Sequence, residues 1–279
     1  MVHRISQPDD ILIEAQKLYP KKFHEVSESS YMDDVYRKAA IMCGIREHLK
    51  ATRGDVNAVD IAGGSGRQGR IIRSLVKEDS GRVVIHNVDI GRGEFRRGRG
   101  DERTIGDVMH LPLPDKSMDF VFMNNIPIPL SHVKYYVINM KDETGKKEQI
   151  LEMLENAIDA QYKLNLLEGI RVLKENGVMM LSGKHVGQTG ESIQRNLDDL
   201  PLKVDKFEVV ELESGVVPLW RKYGIDIEKP TFMIVSLRKT GDAEGLVDFY
   251  EQMRYTSLEQ LLRIEEFDKV LEEMRKAKA

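Results

Sequence analysis

The sequence predicts an α/β fold, a doubly wound, mostly parallel sheet with an antiparallel last strand and helical extensions at both ends. Three observations predict it. Apolar, strand-like segments alternate with helical ones from residue 56 to residue 182, which builds a parallel sheet covered on both faces. A glycine turn, Gly63–Gly66, follows the first apolar segment. Two β-rich segments, 206–213 and 231–237, are joined by a connection that contains Gly and Pro and has no helical pattern. They are expected to form an antiparallel pair at the sheet edge.

The N-terminal segment, residues 1–55, is expected to be a helical extension that covers part of a pocket. Residues 8–50 predict two helices, the second from about Met32 to Lys50. Its apolar side chains follow helical spacing, at Val35, Ala39, Met42, Ile45 and Leu49.

Residues 56–240 are expected to form the ligand-binding core, and residues 241–279 a C-terminal helical appendage. The expected strands are Ala58–Ile61, Gly81–Val88, Phe120–Met123, Gly177–Ser182, Lys206–Glu213 and Thr231–Leu237. The expected helices run from about Arg67 to Lys77, from Lys147 to Lys174 and from Glu191 to Leu197. The last segment has the amphipathic pattern of one or two helices and is also a candidate dimer contact.

The composition predicts a soluble cytoplasmic protein. A net charge of −4 gives no overall attraction to nucleic acid or anionic lipid. No apolar run approaches the length of a membrane span. The single cysteine, Cys43, cannot form an internal disulfide, and we expect it to pack in the core. The sequence has no Cys/His cluster of the kind that holds a metal.

The glycine turn indicates a nucleotide-like ligand, because glycine lets the backbone approach a ligand closely. The next helix begins there and presents its unpaired N–H groups. Gly64–Gly69 matches the pattern G-x-G-x-x-G, and Asp89 follows it at about the 20-residue spacing of a dinucleotide site. One hypothesis is therefore an NAD(P)-dependent oxidoreductase with a Rossmann fold.

The same turn, written Asp60-x-Ala62-x-Gly64-x-Gly66, resembles motif I of the class I S-adenosylmethionine (SAM) dependent methyltransferases, in which glycine usually stands at the place of Ala62. Segment 105–121 resembles the part of that family in which Gly-Asp ends the third strand, a Leu-Pro-x-x-Asp loop follows, and x-x-Asp-x-Val opens the fourth strand.

Segment 168–181 is similar to the family's helix, turn and fifth strand, with Asn176-Gly177 as a left-handed helix stop. The resemblance covers about Val56 to Lys239 and implies a reversed last strand beside the fifth. It favours SAM over NAD, and it makes Gly69 an ordinary residue of the first helical turn.

The resemblance implies SAM as cofactor and assigns residues to it. Asp89 is expected to hold both ribose hydroxyls, Asp107 to accept a hydrogen bond from the adenine amino group, and Val108 to lie against the ring. The full predicted set is Asp60, Ala62, Gly63, Gly64, Gly66, Asp89, Ile90, Asp107, Val108 and Asn124.

The methyl acceptor is expected over the ends of the fourth and fifth strands. His185, and secondarily His132, are the candidate catalytic bases. Asn125, Tyr135 and Lys184 are the candidate substrate-binding residues, with Lys184 suited to an anionic acceptor. The prolines at 127 and 129 and the tyrosines at 135 and 136 predict an ordered loop that lines the acceptor pocket.

The sequence thus predicts in-line methyl transfer from SAM to a small-molecule acceptor, in a biosynthetic role. Two alternatives remain: the NAD(P)-dependent oxidoreductase and a non-catalytic binding protein with the same fold. A nucleic-acid or membrane partner is not expected, and a homodimer through the terminal helices is possible. The acceptor atom stays open, because oxygen, nitrogen, carbon and sulfur methylation share this fold.

Overall fold

The protein is described by a computed structural model, which covers residues 7–18, 32–62, 66–77, 82–89, 101–105, 108–124, 128–141, 145–184, 188–211 and 231–278. The strands in this part of the chain are β1 (Val56–Ile61), β2 (Val83–Asp89), β3 (Asp101–Ile105), β4 (Met118–Asn124), β5 (Leu173–Lys184), β6 (Leu202–Glu211) and β7 (Thr231–Lys239).

The helices of the described residues alternate with these strands through the core and continue at both ends. They are α1 (Pro8–Leu18), α2 (Asp33–Met42), α3 (Ile45–Ala51), α4 (Arg67–Leu75), α5 (Pro129–Asn139), α6 (Lys147–Val172), α7 (Gly190–Asn196), α8 (Leu246–Leu262) and α9 (Glu265–Lys278).

The strands form one sheet in the order β3-β2-β1-β4-β5-β7-β6. Strands β1 to β5 pair in parallel. Strand β7 lies antiparallel between β5 and β6. This is the strand order of the class I methyltransferase fold, and the predicted doubly wound sheet with an antiparallel ending is confirmed. The C-terminal segment, predicted to form one or two amphipathic helices, forms two, α8 and α9.

The predicted helix from Met32 to Lys50 is broken in two. Helix α2 ends at Met42, and Gly44 adopts a left-handed backbone with φ of 74° before α3 begins. The break changes the direction of the chain while both helices keep their apolar side chains in one core. That core is formed by Val35, Ala39, Ile45 and Leu49 together with Val56, Ile72, Phe120 and Phe232.

An ordered loop was predicted around the prolines at 127 and 129 and the tyrosines at 135 and 136. The prediction is wrong from Pro129 onward. Residues from Pro129 onward form α5, with proline in the first helical turn, where its missing N–H costs no hydrogen bond. The buried side chains of α5, Leu130, Val133 and Val137, follow helical spacing. Residues 125–127 lie outside the described part of the chain.

The predicted helix stop at Asn176-Gly177 is also corrected. Asn176 has the expected left-handed backbone, with φ of 60°, but α6 already ends at Val172 and the turn lies within β5. Leu173 pairs with Met118 and Val178 with Phe120, so five steps along β5 match two along β4. The left-handed residue therefore serves a bulge in the sheet.

The chain divides into two compact units. The larger, called the sheet unit below, comprises Lys22–Ile126 and Glu168–Ala243; the helical unit comprises Met1–Lys21, Pro127–Leu167 and Glu244–Ala279. These boundaries differ from the predicted 1–55, 56–240 and 241–279. Helices α2 and α3 belong to the sheet unit because they pack on the sheet.

The helical unit has its own apolar core, built from distant parts of the sequence. Ile11, Leu130, Leu154, Leu258 and Phe267 are all buried in it. The apolar faces of α8 and α9 are therefore partly buried against other helices of the same chain. None of the helices in the described residues has the length and apolar character needed to cross a bilayer.

Candidate functional site

The candidate site lies at the carboxyl edge of the parallel strands in the sheet unit. Strand β1 is flanked by β2 on one side and β4 on the other, so the chain winds in opposite directions from this point. Ligands of open α/β sheets bind at such a switch point, beyond the carboxyl ends of the strands. Asp60, Asp89, Asn124 and Lys184 all lie at or next to these ends.

The turn after β1 has the backbone geometry of a ligand cradle. Ala62 has φ of 58° and Gly66 has φ of 78°, both left-handed. The Ala62 N–H donates to the Val88 carbonyl at 2.8 Å, which holds the start of the turn against β2. Gly66 then caps the N-terminus of α4. Gly63 and Gly64 lie outside the described residues.

Asp60 is buried near the end of β1, with 1% of its surface exposed. It pairs in register with Asn87 of β2 and Phe122 of β4. A carboxylate in the middle of a sheet is costly to desolvate. Its burial beside the left-handed turn indicates that it serves the turn or a ligand rather than the solvated surface.

The sequence predicted that Gly69 is an ordinary residue of the first helical turn, but its lack of a side chain has a packing role. A Cβ placed on it would lie 3.3 Å from Cγ2 of Ile85 on β2. The absence of a side chain lets α4 approach the sheet closely, which is the role of the third glycine in G-x-G-x-x-G turns. This packing belongs to the dinucleotide pattern, but it does not exclude SAM.

A chain of buried polar side chains fixes the amide of Asn124 at the end of β4. Ser182 of β5 donates its hydroxyl to Asn124 Oδ1 at 2.7 Å, and Asn124 Nδ2 donates to Gln68 Oε1 at 3.4 Å. Gln68 Nε2 in turn donates to the Tyr36 carbonyl at 3.1 Å. Less than a tenth of each of the three side chains is exposed. The hydrogen bonds on both sides determine which way the Asn124 amide faces.

Gln68 and Ser182 were not assigned roles from the sequence. Gln68 had a signal, since it stands at helical spacing with the buried Ile71 and Ile72. A polar residue on the apolar face of a helix needs a buried partner. Ser182 pairs directly with Asn124 across the two strands, and that contact depends on the register of the sheet.

The residues assigned to the ribose and adenine are described only in part. Asp89 is the last residue of β2 and pairs with Ile105 of β3, but its side chain is outside the described atoms. Val108 is half-buried in the turn that leads out of this region. Ile90 and Asp107 lie outside the described residues.

The residues assigned to the acceptor are spread over both units. Lys184 ends β5 and pairs with Phe232 of β7. Its side chain, and all of Asn125 and His185, lie outside what the structure describes. His132 and Tyr135 are on α5 of the helical unit; His132 is half-buried, and Tyr135 is 62% exposed.

A cleft of about 430 Å³ lies at the opposite, amino-terminal edge of the sheet and includes His48, Asp119 and Lys174 in its lining. Asp119 accepts from the Asn57 N–H and from Lys174 Nζ, each at 2.9 Å, and His48 Nε2 is 3.3 Å from it. These contacts join α3, β1, β4 and β5, so Asp119 has a structural role.

Within the described residues, no group of His, Cys, Asp and Glu side chains is suited to hold a metal ion.

Cys43 packs in the core, as predicted. It is buried in the cluster that links α2, α3 and the sheet. Burial raises the pKa of its thiol to about 12, so the thiolate needed of a nucleophile is absent near neutral pH.

The donor set at the carboxyl edge fits SAM. A carboxylate ends β2, where it suits a cis-diol, and the left-handed turn leads into the N-terminus of α4 beside a fixed amide. The methionine end of SAM has an ammonium and a carboxylate. A protein carboxylate can accept from the ammonium, and an amide can donate to the carboxylate.

No family model matches this sequence, and no curated protein does. Solved structures with a related course of the chain include the [4+2]-cyclase SpnF, with 14% identity over 72% of this chain and 80% of that one at a TM-score of 0.43. A SAM-dependent methyltransferase from Methanosarcina mazei has 16% identity over 70% of this chain and 97% of its own, with a TM-score of 0.41. Likenesses this distant say nothing about chemistry, and the fold assignment rests on the strand order.

Proposed function

We propose that this chain transfers a methyl group from SAM to a small-molecule acceptor. One observation carries the proposal: buried Asp60 leads into a left-handed turn at the switch point of the sheet, beside the fixed amide of Asn124. The antiparallel ending of the sheet supports SAM over a dinucleotide, since the classical dinucleotide fold continues with parallel units.

The proposed roles follow the strands. Asp60, the turn of Ala62, Gly63, Gly64 and Gly66, and Asn124 would hold the methionine end of the cofactor. Asp89 would hold the ribose hydroxyls, with Ile90 beside it, and Asp107 and Val108 would bind the adenine. When bound, SAM supplies an electrophilic methyl group on a sulfonium, and transfer requires the acceptor atom in line with it.

The acceptor side of the proposal rests on His185, with His132 as the second candidate base. Asn125, Tyr135 and Lys184 would bind the acceptor. If His185 removes the acceptor proton, His185→Asn should abolish transfer of a tritiated methyl group to an acceptor while SAM affinity stays unchanged. A variant that keeps the wild-type rate and pH profile would exclude His185 as the base.

One observation favours a second candidate, an NAD(P)-dependent oxidoreductase. The close approach of α4 to β2 at Gly69 is the packing expected of the third glycine of the dinucleotide pattern. The antiparallel direction of β7 argues against the oxidoreductase, because β7 occupies the place of a further parallel unit.

Calorimetric titration with SAM, S-adenosylhomocysteine and NAD separates the two candidates. We expect both adenosyl sulfur compounds to bind and NAD not to. Asp89→Ala and Asp107→Ala should each weaken SAM binding by roughly 10- to 100-fold, as expected for loss of a charged hydrogen bond worth about 1.5–3 kcal/mol.

Asp198→Ala is the matched control, because Asp198 is an exposed carboxylate that contacts only Gln194 in the described residues. Its affinity for SAM should be that of the wild type. Binding of NAD alone would overturn the proposed function. Wild-type affinity in both Asp89→Ala and Asp107→Ala would overturn their assigned roles.

A further inference from the structure

The segment between Val108 and β4 contains two prolines that shape its backbone. It has the sequence Leu111-Pro112-Leu113-Pro114-Asp115. A proline holds the residue before it in an extended conformation and offers no N–H of its own. In this extended backbone the carbonyls of Leu111 and Leu113 are available to donors from outside the segment.

Arg171, at the end of α6, supplies these donors. Its Nη2 donates to the Leu111 carbonyl at 2.8 Å, and its Nη1 donates to the Leu113 carbonyl at 3.0 Å. Nη1 also forms an ion pair with Asp115. Nε and Nη2 donate to the two carboxylate oxygens of Glu168 at 2.8 and 2.6 Å. Together these contacts use all five N–H groups of the guanidinium.

Helix α6 also holds the same segment at both ends, through one side chain and two backbone carbonyls. The Leu111 N–H donates to Glu168 Oε1 at 2.6 Å. At the other end, the N–H groups of Lys116 and Ser117 donate to the carbonyls of Arg171 and Val172 at 2.9 and 2.8 Å. The segment is thus fixed to one turn of one helix.

These contacts fix a segment that lies mostly at the surface, since Pro112, Pro114 and Asp115 are exposed. The Arg171 side chain is 33% exposed, that of Asp115 71% and that of Glu168 12%, so the pair with Asp115 adds little to stability. The hydrogen bonds that Arg171 donates to the Glu168 carboxylate raise the pKa of Arg171 above its ordinary value. The arrangement therefore fixes the position of the chain just after Val108.

We propose that Arg171 and Glu168 are positioning residues for adenine recognition. They hold the Leu111–Asp115 segment, and so place the preceding turn at Val108, where the proposed function puts the adenine ring. The inference rests on that function. It predicts that the two side chains control how well the protein distinguishes the 6-amino group of adenine from other groups at that position.

The test compares two ligands that differ only there, S-adenosylhomocysteine and S-inosylhomocysteine, which has a carbonyl oxygen in place of the amino group. We expect wild type to prefer the adenosyl compound by roughly tenfold or more, the usual effect of one charged hydrogen bond. In Arg171→Lys the ratio should fall toward one, since lysine keeps the charge but has only three donors and no planar fork.

Arg238→Lys is the matched control. It makes the same substitution in the sheet unit, at a half-exposed arginine on β7 that contacts Asp205 at 3.3 Å. Its ligand ratio should equal that of wild type. Circular dichroism melts establish that each variant is folded at the titration temperature. If Arg171→Lys is not, Glu168→Gln takes its place, and its ratio should fall in the same direction.

An unchanged ratio in the folded variant would overturn the inference. So would a wild type that binds both ligands equally, although SAM binding would then still support the proposed function. A wild type that binds neither ligand would instead refute the proposed function itself.

Discussion

Asn124 is held by hydrogen bonds that its neighbours cannot easily replace. Its Oδ1 accepts from Ser182 and its Nδ2 donates to Gln68, and all three side chains are buried. A buried acceptor that loses its donor costs more than the net worth of the hydrogen bond, because it cannot return to water. The orientation of the amide therefore depends on both partners.

Ser182→Ala should lower the free energy of unfolding by about 1–3 kcal/mol, the cost of an unsatisfied buried acceptor. Urea unfolding measures it. Ser74→Ala is the control, since Ser74 donates only to the Ile71 carbonyl of its own helix in the described residues, and its effect should be within about 0.5 kcal/mol of zero. Equal effects of the two substitutions would contradict the account of Asn124.

At this scale the sequence predicted which residues stand at the strand ends but not what fixes them. Asp60 was identified from the resemblance of its segment to a family, and Asn124 from its place after the fourth strand. The contact of Asn124 with Ser182 depends on the register of β4 with β5. Register cannot be read from either strand alone, because both are apolar segments with several possible alignments.

Among the elements, β5 contains a turn that was predicted correctly at Asn176-Gly177 but assigned wrongly to a helix end. Asn176 has the left-handed backbone that Asn-Gly predicts, but the residue lies in a bulge and not at a helix end. The bulge lies between two pairings of β5 with β4, Leu173 with Met118 and Val178 with Phe120. Helix α5 was not predicted, because its prolines and tyrosines suggested a loop, although Leu130, Val133 and Val137 follow helical spacing.

Gly177 is the position in β5 where the bulge tolerates no side chain. A Cβ there would lie 2.7 Å from Cγ of Leu173 and 2.9 Å from the Lys174 carbonyl oxygen. Gly177→Ala should therefore lower the free energy of unfolding by about 1–3 kcal/mol, as overpacking against backbone does.

Gly183→Ala provides the comparison within the same strand. The nearest atom to a Cβ at Gly183 is Cε of Met233, at 3.8 Å, an ordinary contact. Both variants can be followed by thermal unfolding. If Gly183→Ala is as destabilising as Gly177→Ala, crowding at the bulge is not the cause.

For the whole molecule, the mostly parallel sheet with its reversed last strand was predictable and the division into units was not. Alternating periodicity and the Gly- and Pro-containing connection before β7 predicted the parallel sheet and its reversed ending. The helical unit combines Ile11, Leu154 and Phe267 in one core, from segments far apart in sequence. Each helix has an apolar face, but the periodicity of a helix does not predict which other helix packs against that face.

The predicted homodimer through the terminal helices stays a prediction. Apolar side chains of α8 remain exposed at Val247, Phe249 and Tyr255, while others of the same helix, Leu258 and Leu261, are buried within the chain.

The central claim is that SAM binds at the turn after β1, at the carboxyl edge of the sheet. A crystal structure grown with S-adenosylhomocysteine tests it most directly. The account predicts the homocysteine part beside Asp60, Gly66 and Asn124, and the ribose at the end of β2. Ligand density at the amino-terminal edge, in the cleft beside His48 and Asp119, with none at the turn, would contradict it.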